Sequence, residues 1–157
     1  MNQSDTRNYI LAYNQLLKEC DTVYHTAAAN SGLSDCAFWI LYTVQDSEHS
    51  CTQSEICDGA SMPRQTVNSA LKKLEKDGYL TLQRIEGKMG KYIHLTERGH
   101  TFVQKHIVPV MAAEERACAL FSDKEKETFL KIFRVLVDRL KKEITQVSSE
   151  ETQHGKE

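Results

Sequence analysis

Residues 52–78 read TQSEICDGASMPRQTVNSALKKLEKDG and contain the start and end signals of two helices. Thr52-Gln53-Ser54-Glu55 is a capping box, in which the threonine hydroxyl and the glutamate carboxylate satisfy each other's free backbone amides at a helix start. The short helix that it opens is expected to end at Asp58-Gly59-Ala60. Ser61 is expected to cap a second helix that has a proline in its first turn, and Gly78 ends this helix as a left-handed cap. The stretch therefore predicts two helices joined by a short turn.

A β-hairpin is predicted directly after the second helix. Residues 79–85 (YLTLQRI) and 91–95 (KYIHL) are rich in strand formers, and residues 86–90 (EGKMG) contain two glycines, as is typical of a turn. An isolated hairpin is only marginally stable, so these strands must pack on the preceding helices. The order of helix, turn, helix and basic hairpin is that of a helix-turn-helix followed by a wing.

Helical patterns flank this region on both sides. Apolar residues recur at steps of three and four over residues 6–30. Ser34 can cap a helix over residues 35–45, which is apolar on nearly every side and is therefore expected to be buried. Thr96 can cap a helical stretch that runs to about Leu120.

A proline and a second capping box organise the C-terminal helices. Pro109 removes one backbone donor, so we expect a break near Val108. Ser122-Asp123-Lys124-Glu125 is a capping box that opens the cleanest amphipathic helix of the chain. Residues 148–157 are polar and are expected to be disordered.

Length and composition indicate one ordinary globular domain or two small lobes. The 157 residues are 40% hydrophobic, with only 7 glycines and 2 prolines, which favours a helix-rich soluble chain. No run of 18 apolar residues and no signal-peptide pattern occurs, so we expect a cytoplasmic protein without membrane contact. Five cysteines without a Cys-x-x-Cys pair are expected to be thiols.

Charge is distributed unevenly along the chain. The net charge is −2, which by itself argues against a nucleic-acid partner. Residues 1–60 carry 2 basic and 8 acidic side chains, residues 61–100 carry 8 and 4, and residues 101–157 carry 10 of each. The segment with the predicted second helix and hairpin is therefore positive, which favours an anionic partner.

The second helix and the hairpin together carry the candidate DNA-binding residues. The N-terminal part of the helix presents side chains that can hydrogen-bond base edges in a major groove, and its lysines and the hairpin can meet phosphates or an adjacent minor groove. The residues that we expect to contact double-stranded DNA are Thr52, Gln53, Ser61, Arg64, Gln65, Thr66, Asn68, Ser69, Lys72, Lys73, Arg84, Lys88 and Lys91.

At four points the sequence resembles the MarR family of winged-helix transcriptional regulators. The matching stretches are Thr52-Gln53-Ser54-Glu55-Ile56, Arg64-Gln65-Thr66-Val67, Leu74-Glu75-Lys76-Asp77-Gly78-Tyr79-Leu80 and His94-Leu95-Thr96-Glu97-Arg98-Gly99. The resemblance implies a homodimer that binds a near-palindromic operator through two winged lobes, usually as a repressor released by a small-molecule effector. Family wings commonly carry an Asp-x-Arg near the tip, whereas residues 86–91 here offer lysines, which supply charge without the planar fork of arginine.

The fold class predicted on this basis is mostly α (α+β). Residues 1–32 are assigned to a dimerisation helix, 33–100 to a winged helix-turn-helix lobe with a two-stranded β wing, 101–147 to further dimerisation helices and 148–157 to a disordered tail. Dimerisation rests on the resemblance, since two long amphipathic helices can also pack together within one subunit. Without DNA binding, the same fold would serve as a protein-interaction module with a degenerate winged helix, an alternative that the net charge keeps open.

Aromatic residues suggest where a small-molecule effector would bind. Tyr13, Tyr24, Trp39 and Tyr42 can line a pocket between the dimer helices and the winged lobe, although ordinary core packing also accounts for Trp39. No cofactor is implied. The histidines lack metal-ligand spacing, so no metal site is expected, and no catalytic motif of a known enzyme class occurs.

A redox-sensing regulator is the remaining alternative. Some members of the family sense oxidants through a cysteine in the first helix, and Cys20 lies four residues before Tyr24. Its neighbours Glu19 and Asp21 are acidic, which disfavours a reactive thiolate. Cys36 and Cys57 are expected on apolar faces, and free cysteine is one of the most buried residue types.

Overall fold

A computed structural model of the chain describes residues 3–47, 51–59, 62–84 and 90–154. Its elements are α1 (Gln3–Asn30), α2 (Asp35–Asp46), α3 (Gln53–Gly59), α4 (Arg64–Lys76), β1 (Leu80–Gln83), β2 (Tyr92–Leu95), α5 (Glu97–His106), α6 (Val108–Cys118) and α7 (Asp123–His154). The chain divides into two compact units, Met1–Ala112 and Ala113–Glu157. Among the described residues, no helix has both the length and the apolarity to cross a membrane.

The core of the first unit is built on α2 and α4. Phe38 and Leu41 of α2 and Val67 and Leu71 of α4 are fully buried. The side chain of Ser34 accepts a hydrogen bond from the amide of Ala37 at the start of α2, which confirms its predicted cap. Burial of each large apolar side chain contributes about 1.5–3 kcal/mol, so this packing holds α4 in place from its inner side.

Only the C-terminal part of α1 joins this core. Ala28 is buried, and the ring of Tyr24 lies 4.8 Å from that of Trp39 on α2. Nδ1 of His25 lies 2.9 Å from a carboxylate oxygen of Asp35, which links α1 to the start of α2. Towards the N-terminus of the same helix, large apolar side chains are exposed: Tyr9, Ile10, Leu11, Leu16, Leu17 and Val23.

The wing is an antiparallel pair of four-residue strands, with Leu80 opposite Leu95 and Gln83 opposite Tyr92. Each strand begins one residue later than predicted, at Leu80 and at Tyr92. A third segment joins the pair, since the amide of Gln53 donates to the carbonyl of Lys91 at 2.8 Å. Residues 85–89, which include most of the predicted turn, lie outside the described residues.

Thr96 and Gly99 connect the wing to α5. The hydroxyl of Thr96 donates to the carbonyl of Gly78 at 2.6 Å and accepts from the amide of Gly99 at 3.0 Å, which confirms the predicted cap. A Cβ atom at Gly99 would overlap the carbonyl oxygen of Tyr79. Gly78 has a φ of 76°, as predicted for a left-handed cap. The end of α4 and the start of α5 are therefore held together in close backbone contact.

The helical stretch after the wing is divided at Ile107. α5 ends at His106 and α6 begins at Val108, which confirms the break predicted from Pro109. The proline lies in the first turn of α6, where no intrahelical donor is required of it. Val103 and Ile107 are fully buried and anchor this junction in the core of the first unit.

In the second unit, α7 is one helix of 32 residues. The side chain of Glu125 accepts hydrogen bonds from the amide and hydroxyl of Ser122 at 2.8 and 2.6 Å, so the second capping box is confirmed. The helix continues to His154, which corrects the prediction of a disordered tail from Ser148. The segment contains no glycine or proline before residue 155 and is rich in Glu and Gln, which favour helix.

Candidate nucleic-acid interface

The interface begins with the capping box of α3. The carboxylate of Glu55 accepts from the amide and the hydroxyl of Thr52 at 2.7 and 2.8 Å, and the amide of Glu55 donates back to that hydroxyl at 3.1 Å. The bond from the backbone amide of Thr52, followed by that from its hydroxyl, lowers the pKa of Glu55. The predicted box is confirmed, and the Thr52 side chain fixes the start of α3.

The start of α4 differs from the prediction. The helix begins at Arg64, and Pro63 occupies the N-cap position without a side-chain cap bond. Because proline fixes its own φ and restricts the residue before it, the helix begins two residues later than a cap at Ser61 would require. Ser61 itself lies outside the described residues.

The two faces of α4 differ sharply. Val67, Leu71 and Leu74 are buried. The opposite side is polar and exposed, with the side chains of Gln65, Thr66, Ser69, Lys72 and Lys73. The hydroxyl of Ser69 donates to the carbonyl of Gln65 at 2.9 Å, and Nζ of Lys73 lies 2.6 Å from a carboxylate oxygen of Asp77. Five of the predicted DNA-contacting side chains therefore lie on the exposed part of α4.

Arg64 is held by α3. Its Nη2 atom lies 2.6 Å from Oδ1 of Asp58 and 3.4 Å from the hydroxyl of Ser54, which in turn donates to Asp58 at 3.2 Å. This hydrogen bond from Arg64 is the main cause of a lowered pKa at Asp58, and the same pair raises the pKa of Arg64. Both side chains are 65% exposed, so the pair is screened by solvent and can exchange for a phosphate.

Asn68 is less available to DNA than the sequence predicted. Its Oδ1 atom accepts from Nε2 of Gln53 at 2.9 Å, and the thiol of Cys57 donates to the same atom at 3.5 Å. Both the asparagine and the glutamine are half-buried. These bonds tie α3 to α4, and both side chains also line the groove described next.

A groove of about 550 Å³ runs between the helix pair and the root of the wing. Its lining residues are Gln53, Ser54, Cys57, Arg64, Asn68, Arg84, Gly90 and Lys91. Three of them are cationic and none is acidic. The structure thus brings Arg84 and Lys91 of the wing to the same groove as Arg64, whereas Lys88 lies outside the described residues.

The predicted effector residues are only partly brought together. The ring of Trp39 lies 4.8 Å from that of Tyr24 and 5.2 Å from that of Tyr42, which forms one aromatic cluster between α1 and α2. Tyr13 lies three turns before Tyr24, about 16 Å along the same helix, and so does not belong to this cluster. Trp39 is half-buried against the core.

The cysteines differ in exposure. Cys20 is exposed on α1, whereas Cys36 and Cys57 are buried, as predicted. Burial, and then the charge of Cys57, raises the pKa of Cys36, which disfavours its thiolate. Within the described ranges, no group of three or more His, Cys, Asp or Glu residues could hold a metal ion.

Two features of the interface were not predicted from the sequence. Asp58 was interpreted only as part of a helix end, yet it holds Arg64. Cys51 was left outside the wing, yet its carbonyl accepts from the amide of Ile93 at 2.8 Å. The spacing of Asp58 six residues before Arg64 could have suggested the ion pair. The backbone hydrogen bond between Cys51 and Ile93 had no signal in the local sequence.

Comparison with known proteins agrees with this geometry. A family model described as MarR family matches residues 31–88, which run from the end of α1 into the wing. The chain is 30% identical over 88 residues to the uncharacterized HTH-type transcriptional regulator YwoH of Bacillus subtilis, covering 56% of this chain and 64% of that protein. Over residues 31–88 the chain is similar to the MarR family. The family consists of transcriptional regulators and not of enzymes.

Other MarR-family relatives extend the match along the chain. The HTH-type transcriptional repressor YetL of B. subtilis is 28% identical over 129 residues, covering 78% of this chain and 75% of that one. The structure of the MarR family regulator NMB1585 from Neisseria meningitidis superposes with a TM-score of 0.73 at 24% identity, covering 93% and 99% of the two chains. The structure of a MepR–DNA complex from S. aureus superposes with a TM-score of 0.63 at 18% sequence identity, covering 84% of this chain and 97% of that chain. The predicted winged-helix fold is confirmed.

Proposed function

We propose that this chain is a sequence-specific DNA-binding transcriptional regulator of the MarR family that acts as a repressor. The observation that carries the proposal is the exposed polar surface of α4, which includes Gln65, Thr66, Ser69 and Lys72, while Val67, Leu71 and Leu74 of the same helix are buried. An α-helix fits the major groove, where hydroxyl and amide side chains bond to base edges. The first residues of α4 read bases, and the lysines further along contact phosphates.

The wing extends the contact beyond the major groove. Arg84 and Lys91 line the same groove as Arg64 and lie at the root of the hairpin. From that position the hairpin reaches the phosphates that border an adjacent minor groove. Two of the relatives support this function: YetL carries the description of a repressor, and MepR is known in complex with DNA.

We further propose that the chain acts as a homodimer. In α1 and α7, large apolar side chains stand exposed, with Leu16 at 66% and Phe129 at 63%. Such surfaces are costly in water and typical of protein interfaces. A second copy is the occupant that the function requires, because two recognition helices about 34 Å apart read the two halves of a near-palindromic operator.

Sedimentation velocity tests the dimer. Ile132→Asp places a charge on an exposed apolar site of α7 and is expected to shift the chain towards the monomer, whereas the adjacent Lys131→Asp serves as the matched control. A wild-type chain that sediments as a monomer at tens of micromolar would contradict the proposal. If the dimer tolerates Ile132→Asp, this part of α7 lies outside the dimer interface.

Release by a small molecule completes the proposed mechanism. The cluster of Tyr24, Trp39 and Tyr42 between α1 and α2 is the candidate effector site. A ligand that binds better to a dimer with altered helix spacing would shift the population away from the DNA-binding state. The intrinsic fluorescence of Trp39, the chain's single tryptophan, reports occupancy of this site directly.

Footprinting on DNA upstream of the protein's own coding sequence tests DNA binding. We expect a protected near-palindrome at moderate salt, with an affinity that falls steeply as salt rises because several phosphate contacts release counterions. The double variant Gln65→Ala/Ser69→Ala should lose the footprint, and Lys18→Gln on α1 should retain it. Absence of any protected site, with only weak salt dependence, would favour the alternative of a protein-interaction module.

A further inference from the structure

The outer strand of the wing is tied to α4 by one side chain. Oε1 of Glu75, in the last turn of α4, accepts a hydrogen bond from the backbone amide of Leu82 in β1 at 3.1 Å. The backbone carbonyl of the same glutamate accepts from the amide of Gly78 at 3.0 Å. Glu75 therefore contributes both to the end of the helix and to the edge of the sheet.

The pairing of the two strands explains why this amide is open to a side chain. Leu82 lies opposite Ile93 in the antiparallel register, and the amide of Ile93 donates to the carbonyl of Cys51 at 2.8 Å. Opposite residues of an antiparallel pair either exchange both hydrogen bonds or direct both amides outwards, so Leu82 and Ile93 form a non-hydrogen-bonded pair. The amide of Leu82 consequently points to the outer edge of β1, where the carboxylate of Glu75 accepts from it.

This bond is a second attachment of β1 to α4. The first lies at the root of the strand, where the amide of Tyr79 donates to the carbonyl of Leu74 at 2.9 Å. Leu82 lies three residues further along, which is about 10 Å in an extended chain. With the root alone, the strand could pivot about Tyr79, whereas a second attachment fixes its direction relative to the helix.

The strand leads directly to a cation of the candidate interface. Arg84 follows Leu82 by two residues and lines the groove of about 550 Å³ together with Arg64 and Lys91. Because Arg64 is the first residue of α4, the groove combines cations of the helix and of the wing. A duplex presents its phosphates at set separations, so these cations can act together only within a narrow range of angles between the wing and α4.

We propose that Glu75 is a positioning residue that sets the angle of the wing for DNA contact. The inference rests on the DNA-binding function proposed above and adds a residue that need not touch the duplex itself. The charge of Glu75 repels a polyanion, and it lies at the helix end that disfavours negative charge. Both effects of the charge are unfavourable, so the favourable contribution of Glu75 to binding comes from its bond to Leu82.

Glu75→Gln and Glu75→Ala separate position from charge. Both variants remove the negative charge, but only Glu75→Gln keeps a side-chain oxygen that can accept from the amide of Leu82. By charge alone the two variants would bind DNA equally and more tightly than the wild type. We expect Glu75→Gln to bind at least as tightly as the wild type, and Glu75→Ala to bind about fivefold more weakly than Glu75→Gln, the scale of one hydrogen bond. Fluorescence anisotropy on a duplex that carries the footprinted site measures both affinities.

A double-mutant cycle with Arg84 shows whether the effect acts through the wing. In the Arg84→Gln background, the affinity difference between Glu75→Ala and Glu75→Gln should fall to within about twofold, because the misplaced cation is already absent. With Arg84 present, the slope of log affinity against log salt should be lower by about one for Glu75→Ala than for Glu75→Gln, since one phosphate contact is lost. A general loss of structure would weaken binding equally in the two backgrounds.

Hydrogen exchange tests the contact in the absence of DNA. We expect the amide of Leu82 to exchange about fivefold faster in Glu75→Ala than in Glu75→Gln. The amide of Ile93, which is bonded to Cys51, is the internal control and should not change. The melting temperatures of the two variants should agree within about 2 °C, because the bond is exposed to solvent and alanine is a strong helix former.

Three results would overturn the proposal. Equal operator affinity of Glu75→Ala and Glu75→Gln would show that the bond does not serve DNA binding. A difference that persists in full in the Arg84→Gln background would show that it does not act through this cation of the wing. Equal exchange of the Leu82 amide in the two variants would show that the bond does not form in solution. A wild-type chain that binds no duplex would overturn the proposed function and, with it, the role of Glu75, whereas the exchange rates would still report the contact.

Discussion

Nη2 of Arg64, the first residue of the recognition helix, lies 2.6 Å from Oδ1 of Asp58 on the preceding helix. The cation that the sequence assigned to DNA is thus already paired with a carboxylate of its own chain. A phosphate or a guanine edge must compete with that carboxylate. Asp58 therefore positions the guanidinium and, by competing for it, weakens its binding to DNA of random sequence.

Neutralising Asp58 should make DNA binding less selective. Asp58→Asn removes the competing charge, so affinity for random duplex DNA should rise several-fold, and the salt dependence should steepen by about one phosphate contact. The ratio of operator to random-DNA affinity should fall. Fluorescence anisotropy on both duplexes at several salt concentrations measures these changes. Asp46→Asn, which removes the same charge from the end of α2, is the control, and equal behaviour of the two variants would contradict a specific role of Asp58.

Lys72 should act through phosphates alone. Lys72→Gln is expected to weaken binding to operator and random duplexes by the same factor and to reduce the slope of log affinity against log salt by about one. Gln65→Ala should instead weaken operator binding selectively, by about 1–3 kcal/mol. Anisotropy titrations on the two duplexes separate the two patterns. If Lys72→Gln instead weakened operator binding selectively, Lys72 would contact bases, and the base-reading part of α4 would extend beyond its N-terminal third.

Gly99→Ala should destabilise the first unit. The added methyl group overlaps the carbonyl oxygen of Tyr79, which is backbone and cannot rotate away. Overpacking of this kind costs about 3 kcal/mol, which lowers the melting temperature by roughly 6–12 °C in a chain of this size. Thermal unfolding by circular dichroism measures it, with Gln104→Ala at an exposed position of the same helix as the control. Unchanged melting would show that α5 can move away from Tyr79 at little cost.

Acid should loosen the two capping boxes. The folded-state pKa of Glu55 is lowered by its bonds from Thr52, and that of Glu125 by its bonds from Ser122. A lowered folded pKa contributes stability that is fully present above the unfolded value of about 4.3 and is lost as pH falls through the folded value. The melting temperature should therefore be flat from pH 7 to 5 and decline below about 4.3. Glu55→Gln should flatten that decline, whereas Glu97→Gln, outside either box, should leave it unchanged.

Local signals explain why much of the fold could be predicted. The caps at Ser34, Thr52, Thr96 and Ser122 involve residues three apart, so their pattern is visible in the sequence itself. The break before Pro109 follows from one missing donor. Each of these features is decided within a single helical turn, where tertiary context changes little.

The parts that could not be predicted depend on residues brought together from a distance. The pairing of Gln53 with Lys91 joins segments 38 positions apart, and nothing in residues 51–53 indicates a strand. The bond from Gln53 to Asn68 removes a polar side chain from the reading face, although its residue type favours DNA contact. The start of α4 was misplaced because Pro63 was assigned to the first turn when it in fact precedes it.

The recognition helix is fastened at both ends. In its first half Asn68 accepts a hydrogen bond from Gln53 of α3 at 2.9 Å, and just beyond its end the carbonyl of Gly78 accepts from the hydroxyl of Thr96 at 2.6 Å. These bonds couple the position of α4 to that of α3 and of the wing. Under the proposed function, substitutions at the exposed residues Gln65, Thr66 and Ser69 would change operator preference without removing the bonds that hold α4 in place, so the residues that set specificity are separate from those that set the fold.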